Sequence, residues 1–231
     1  MSAVDALVLF DIDGTIMRGA GEHHKKALIS GVRTVAGVTT TLDGIATTGT
    51  LDSDLIIELL RGAGYGERRA RKILGQVMIE CGNAFVTDCD ADLAEKVCAG
   101  VVDLIADLKR RGAVLGLVTG NLSRIGWRKM ELAGLRDAFS VGAFAEQGRT
   151  RTRLARAAAQ NAIRNGLVTK RARISLIGDH SNDILAAKAN SFQSVAVATG
   201  IMPYEELKEF EPDILVHNLN ELDRDALFNP V

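Results

Sequence analysis

Apolar residues along this chain form a few short unbroken runs, separated by longer stretches with helical spacing. The first run, Ala6 to Phe10, contains no polar position, which is typical of a strand buried on both faces of a parallel sheet. Similar runs predict five further strands, at 114–118, near 140–144, and at 174–177, 194–198 and 214–216. From residue 96 onward these strands alternate with helical patterns, which predicts a doubly wound α/β sheet.

The stretch between the first strand and residue 95 has a different character. Its apolar residues recur at helical spacing over about 22–35, in the segment that follows residue 52, and over about 67–86, with glycines between. Asp52 or Ser53 is the expected cap of the middle helix. We therefore predict an α/β core formed by residues 1–17 and 96–231, and an inserted α-helical cap domain formed by residues 18–95.

Composition narrows the class of protein. The chain of 231 residues is 47% apolar and 25% charged with a formal net charge of −1, so neither nucleic acid nor a membrane is an expected partner. No run approaches the roughly 20 apolar residues of a membrane span, and the N-terminus lacks the basic start of a signal peptide. Cys81, Cys89 and Cys98 lack metal-site spacing and are expected to be buried thiols. These features predict a cytoplasmic protein, and they leave its oligomeric state open.

Carboxylates follow two of the predicted strands. Asp11 and Asp13 come directly after the first strand, and Asp179 and Asp183 follow the run at 174–177. Since the carboxyl ends of parallel strands meet at one edge, these groups should converge there. Taken alone, Asp179 and Asp183 are equally well explained as helix caps. Several carboxylates at one edge repel each other, however, and a divalent cation would compensate them.

The ordered motifs carry a resemblance to a known family. Asp11-Ile-Asp13-Gly14-Thr15, Leu117-Val-Thr119-Gly120-Asn121 and Gly178-Asp179-His-Ser-Asn-Asp183 resemble the first, second and fourth motifs of the haloacid dehalogenase superfamily. Most members of that superfamily are phosphatases. The likeness covers nearly the whole chain and is strongest to phosphoglycolate-phosphatase-like members with a helical cap.

This resemblance implies a role for each motif residue. Asp11 would be the nucleophile that forms an aspartyl-phosphate, and Asp13 would protonate the leaving group and then activate water. The metal would be Mg²⁺, held by the Asp11 and Asp179 carboxylates and the Asp13 backbone carbonyl, with Asp183 acting through water. Three residues of the second motif would bind the phosphate: Thr119, Gly120 and Asn121.

The third motif of the superfamily is a basic residue that pairs with the phosphate and the nucleophile. By similarity we assign it to Arg151, and Arg149 and Arg153 remain alternatives, because one helical face cannot present all three equally. The basic run from Arg68 to Lys72 is expected to be a solvated helix face. His24 and His217 are expected at the surface, and Trp127 in packing.

The expected activity is hydrolysis of a small phosphate monoester, with phosphoglycolate as the leading substrate by resemblance. A β-phosphoglucomutase-like mutase is the alternative, since that subgroup shares the first motif, the cap and a histidine at the position of His23. Against it, the loop 46–51 lacks the basic residue that the subgroup carries there. A non-catalytic phosphate-binding protein is a third hypothesis, which does not explain why two charged carboxylate pairs are kept.

Overall fold

A computed structural model describes residues 5–19 and 21–228 of the chain. Its core is a single six-stranded sheet in the order β3-β2-β1-β4-β5-β6, in which every neighbouring pair is parallel. The predicted parallel sheet is therefore confirmed. The strands are β1 (Ala6–Phe10), β2 (Val114–Val118), β3 (Val141–Ala143), β4 (Arg173–Gly178), β5 (Gln193–Val197) and β6 (Ile214–Val216).

Eight α-helices surround or extend this sheet within the described ranges. They are α1 (Gly21–Ala36), α2 (Asp52–Gly62), α3 (Glu67–Asp88), α4 (Val101–Arg110), α5 (Ser123–Leu132), α6 (Arg151–Arg164), α7 (Ser181–Ala189) and α8 (Tyr204–Lys208). The first three lie between β1 and α4, which confirms the helical insertion. Its exact limits as a domain, 18–95, stay a prediction.

The central strand β1 is buried on both faces, as its unbroken apolar run predicts. Leu7 and Leu9 belong to the apolar cluster that also contains residues of the insertion, α6 and α7, whereas Val8 and Phe10 belong to the cluster that contains residues of α4. None of these four residues is more than 1% exposed. The apolar core of the insertion is thus continuous with one face of the sheet, so the insertion is seated on the core through packed side chains.

The strand order indicates where on the sheet a ligand should bind. The chain runs outward from β1 through β2 to β3, then returns to build β4, β5 and β6 on the other side of β1. The crevice at such a reversal point, outside the carboxyl ends of the strands, is where open α/β sheets bind ligands. Here β1 and β4 flank it, and these are the two strands that the carboxylates follow.

One local expectation is wrong. Neither Asp52 nor Ser53 caps α2, because the helix begins at Asp52 and Leu51 occupies the N-cap position without a side-chain hydrogen bond. The Asp52 carboxylate instead accepts a hydrogen bond of 2.7 Å from the backbone amide of Leu122, in the core. Asp52 therefore bonds to a residue distant in the sequence rather than to the backbone of its own helix.

Two other expectations concern cysteines and membranes. Cys81, Cys89 and Cys98 are all buried free thiols, as predicted. No helix within residues 5–19 and 21–228 has both the length and the apolar character needed to cross a membrane.

Candidate active site

Three buried carboxylates meet at the edge of the sheet between β1 and β4. Asp11 follows β1, Asp179 follows β4, and Asp183 lies in the first turn of α7. One oxygen from each lies within 4.8 Å of the others, and each residue is at most 4% exposed. The convergence expected from the parallel topology is therefore present, and it joins groups that are far apart in the sequence.

Glycines allow the backbone to approach this cluster closely. A Cβ on Gly14, whose φ is +93°, would lie 2.2 Å from the Asp179 carboxylate, and one on Gly200 would lie 1.7 Å from it. A Cβ on Gly178 would come within 2.3 Å of the Asp183 side chain. No real side chain tolerates such distances, so the cluster depends on glycine at these three positions.

The charge balance of the cluster fits a bound cation. Burial raises the pKa of Asp11 and Asp183, and it raises that of Asp179 to about 7, with repulsion among the carboxylates adding to the effect. Within the described part of the chain, both Asp183 carboxylate oxygens are buried without a hydrogen-bond partner. Buried, unsatisfied carboxylate oxygens are the donor set that a hard divalent cation prefers. These residues can therefore hold a divalent metal.

Arg151 is the cation that the chain itself supplies to the cluster. Its Nη1 donates to Asp11 Oδ1 at 3.0 Å and to the Val118 carbonyl at 3.1 Å, and its Nε lies 3.1 Å from Asp183 Oδ1. The residue is 8% exposed, whereas Arg149 and Arg153 are exposed on the same segment. The structure thus brings Arg151 to the proposed nucleophile and leaves the two alternatives in solvent.

Asp13 points away from the cluster and toward the cavity. Its side chain is 42% exposed, and its carboxylate accepts hydrogen bonds from Lys129 and Asn121, each at 2.7 Å. Burial acts to raise the pKa of Asp13, but the Lys129 charge and these hydrogen bonds outweigh it, so that pKa lies below its ordinary value. The two carboxylates of the first motif therefore have different surroundings, although they are only two residues apart.

The side chain of Asn121, in the loop after β2, makes several hydrogen bonds to other protein groups. The Asn121 side-chain amide donates to Asp13 and to Thr119 Oγ1, and its oxygen accepts from Lys129 at 2.7 Å. The resemblance implies that Asn121 binds phosphate, but in the structure its side chain is hydrogen-bonded to Asp13, Thr119 and Lys129. Thr119 is fully buried, and it and Gly120 line the cavity beside Asp11.

Sequence reasoning missed three residues of this region, namely Lys129, His24 and Asp52. Lys129 is fully buried, and His24 lies within hydrogen-bond distance of both Lys129 and Asp52. The expectation that His24 is a surface residue is wrong, because its side chain is only 14% exposed and packs edge-on against Phe85. The only available signal was a lysine four residues after Ile125 on the apolar face of α5.

A cavity of about 420 Å³ opens between the insertion and the sheet edge. The proposed motif residues other than Asp183 line its core side, and His24, Lys25, Leu28 and Leu55 line the side formed by the insertion. His23 and the basic run 68–72 are not among the lining residues. A ligand that fills this cavity would therefore contact both parts of the chain.

Two further residues lie outside the cavity lining, as expected from the sequence. His217 is exposed, and Trp127 packs against Phe144.

The chain combines an open parallel sheet, a carboxylate cluster where the strand order reverses, and a helical insertion above it. This combination is typical of one class of α/β enzymes. Comparison with known proteins gives the family. The sequence profile of the haloacid dehalogenase-like hydrolases matches residues 6–190, so the chain belongs to that family. The resemblance stated from the motifs is confirmed, as is the expectation that the protein is an enzyme.

Individual relatives agree with this assignment. A phosphoglycolate phosphatase from Synechococcus elongatus is 28% identical over 164 residues, which are 71% of this chain and 72% of the relative. A β-phosphoglucomutase from Clostridium difficile superposes with a TM-score of 0.67 at 20% identity, over 97% of this chain and 95% of the other. A predicted phosphatase from Clostridium acetobutylicum gives the same score at 22% identity, over 97% and 99% of the chains. The two structures share the fold of this chain.

The carboxylate cluster predicts an unusual pH dependence of stability without metal. Burial and the nearby Asp11 charge raise the pKa of Asp179 to about 7 in the folded protein, whereas an unfolded aspartate has a pKa near 4. When folding raises the pKa of a group, the bound proton contributes its full stabilisation below the pKa of the unfolded state. That contribution is lost as the pH rises through the pKa of the folded state. In EDTA, the free energy of unfolding should therefore fall by on the order of 3 kcal/mol between pH 4 and 7 through this group.

Urea unfolding at several pH values, with EDTA or with excess Mg²⁺, measures this effect. The matched control is Asp179→Asn, which cannot titrate and should lack this part of the pH dependence. Mg²⁺ should remove most of the loss in the unsubstituted protein. Identical pH profiles for the protein and the Asp179→Asn variant in EDTA would contradict the prediction.

Proposed function

We propose that this protein is a Mg²⁺-dependent phosphatase that hydrolyses a small phosphate monoester through a phosphorylated Asp11. The observation that carries the proposal is the contrast between two neighbouring carboxylates. Asp11 lies in the buried cluster against Arg151, and Asp13 faces the cavity outside it. In this proposal Asp11 meets the phosphorus atom beside cations, and Asp13 exchanges protons.

In the first step a carboxylate oxygen of Asp11 forms a bond to phosphorus, and the bond from phosphorus to the ester oxygen breaks. Asp13 gives its proton to the departing oxygen, so an alcohol leaves. Ester binding brings negative charge beside Asp13, which raises its pKa and favours the protonated form that this step needs. In the second step water attacks the phosphorus, Asp13 takes a proton from that water, and Asp11 is regenerated as phosphate leaves.

Other residues stabilise the phosphoryl group. Arg151 and the Thr119 hydroxyl would bind its oxygens, together with the Gly120 backbone amide, since charge-assisted donors in a dry site act strongly on a phosphoryl group. Bound Mg²⁺, held by Asp11, Asp179, the Asp13 carbonyl and, through water, Asp183, would supply charge neutralisation of the phosphate. Asn121 would contribute by fixing Thr119 and Asp13.

The cavity suits a small acidic ester. Arg18 and Lys25 also line it, so a substrate with a second anionic group would find a partner there. Phosphoglycolate has such a group, and the relative from Synechococcus elongatus is a phosphoglycolate phosphatase. In this proposal residues 18–95 act as a cap that keeps water and macromolecules from the reacting atoms.

A mutase is less well supported. The histidine expected at position 23 by likeness to the mutase subgroup does not line the cavity, and the loop 46–51 contributes neutral threonines and Gly49 to its wall. That wall therefore lacks the basic residue that the mutase subgroup carries there, and the cations that line the cavity, Arg18 and Lys25, lie outside this loop.

Phosphate release from a panel of esters tests the proposal. We expect Mg²⁺-dependent release from small esters, phosphoglycolate among them, loss of activity in EDTA, and no interconversion of glucose 1-phosphate and glucose 6-phosphate. Binding of these esters without release by the metal-loaded protein would support the non-catalytic hypothesis instead. Turnover of phosphoproteins at rates matching small esters would contradict the proposed role of the cap.

A further inference from the structure

Lys129 is a fully buried cation on α5 whose partners connect the core to the insertion. Its Nζ donates to both Asp13 carboxylate oxygens and to the Asn121 side-chain oxygen, all at 2.7 Å. It also lies 3.2 Å from Nδ1 of His24. A buried ammonium is unfavourable unless it is paired and hydrogen-bonded, and here every one of its donors has a partner.

The position of Lys129 on its helix is that of a core residue. Ile125, Gly126 and Met130 form the buried face of α5 together with it. An apolar residue would satisfy packing at this site, so packing alone does not explain a lysine. The lysine places its positive charge against the carboxylate of Asp13.

Two residues of the insertion, His24 and Asp52, extend this hydrogen-bond network. Nζ of Lys129 carries three hydrogens and faces four acceptors, so at least one hydrogen is shared. Lysine has no acceptor, so Nδ1 of His24 faces Nζ as an acceptor, and the proton of the His24 ring then sits on Nε2. Nε2 donates to Asp52 Oδ2 at 2.8 Å. Asp52 is in turn fixed to the core, because its carboxylate accepts from the Leu122 amide and its own amide donates to the Gly120 carbonyl at 2.8 Å.

We propose that Lys129 is a positioning residue that holds the Asp13 carboxyl group in its reactive orientation, and that His24 and Asp52 of the insertion hold Lys129. The inference rests on the proposed function, in which Asp13 exchanges protons with the leaving group and with water. The orientation of Asp13 should therefore depend in part on the seating of the insertion on the core, in addition to the hydrogen bond from Asn121. A salt bridge with a merely structural role would affect stability without distinguishing between substrates.

Leaving-group chemistry separates these two roles. An alkyl phosphate releases a strongly basic alkoxide and depends on proton donation, whereas p-nitrophenyl phosphate releases a stabilised anion and hardly depends on it. The quantity to compare is kcat/KM, because it covers the steps up to the loss of the alcohol. The substitution is Lys129→Met, which keeps an unbranched side chain and removes the charge.

In the Mg²⁺-loaded protein, Lys129→Met should lower kcat/KM for the alkyl ester by about 10- to 100-fold more than for the nitrophenyl ester. Equal losses for both esters would show a structural role only, and no loss would show that Lys129 is dispensable. Either result overturns the inference.

A second variant covers the case in which Lys129→Met does not fold. His24→Ala removes a partly exposed side chain and should produce the same leaving-group-dependent loss at a smaller size, about 3- to 10-fold. The matched control is His23→Ala on the same helix, outside the cavity lining, which should leave both esters unchanged. Equal effects of His23→Ala and His24→Ala would contradict the inference.

The double variant tests the connection itself. If His24 acts through Lys129, then adding His24→Ala to Lys129→Met should cause no further loss, whereas independent residues would give multiplied losses. Failure of the proposed function would look different. The unsubstituted protein would then hydrolyse no ester, or Asp13→Asn would leave the alkyl ester unaffected.

Discussion

Replacing Asp11 by asparagine is expected to reduce kcat for every phosphate ester by about 10⁴-fold or more. An amide oxygen is a poor nucleophile, so the step that forms the phosphoenzyme would not occur. The substitution leaves the shape of the side chain and its acceptor toward Arg151 in place, so the fold should persist. Phosphate release under substrate saturation measures the effect.

Asp13→Asn is the informative companion of this variant. It removes proton exchange but leaves Asp11, Arg151 and the carboxylate cluster unchanged. Turnover of an alkyl ester should fall strongly, while an ester with a good leaving group should still phosphorylate the protein. Equal activity of Asp11→Asn and the unsubstituted protein would contradict the proposed function, and indistinguishable behaviour of the two variants would contradict the division of roles.

Removal of Arg151 is expected to have the second large effect. Arg151→Ala would leave Asp11 and Asp183 buried without their only described protein cation within 4 Å, and breaking a buried ion pair from one side costs about 3 kcal/mol or more. The phosphate would lose a donor as well. We expect both a lower free energy of unfolding in EDTA and a large loss of kcat/KM.

The neighbouring arginines provide matched controls for Arg151→Ala. Arg149→Ala and Arg153→Ala remove the same charge from exposed positions of the same segment, so each should change stability by no more than about 0.5 kcal/mol. Urea unfolding and ester hydrolysis on the three variants test the assignment. A major loss in either control, with Arg151→Ala unaffected, would move the phosphate-pairing role to that residue.

The sequence predicts the sheet and its acidic edge for clear physical reasons. A strand buried on both faces must be continuously apolar, so β1 stands out, and parallel strands must bring their carboxyl ends to one edge. Asp11, Asp179 and Asp183 could therefore be placed together from their positions after β1 and β4. Arg151 required the resemblance as well, because spacing alone does not separate it from its neighbours.

The connection through Lys129 could not be found in this way. It joins residues from α1, the start of α2 and α5, and Lys129 lies 116 positions from Asp13 and 105 from His24. No local pattern relates them. The fold of the core brings Lys129 to Asp13, and the seating of the insertion on the core adds His24 and Asp52. Asp52 illustrates the same limit, since its local features favour a helix cap and its actual partners are tertiary.

Rapid acid quenching during turnover of a small ester, followed by digestion and mass spectrometry, tests the central claim most directly. We predict one added phosphoryl group on the peptide that contains Asp11, present only while substrate remains. It should be absent from Asp11→Asn and should form in Asp13→Asn with an aryl ester. Turnover without any phosphorylated peptide, or phosphorylation that persists in Asp11→Asn, would contradict catalysis through Asp11.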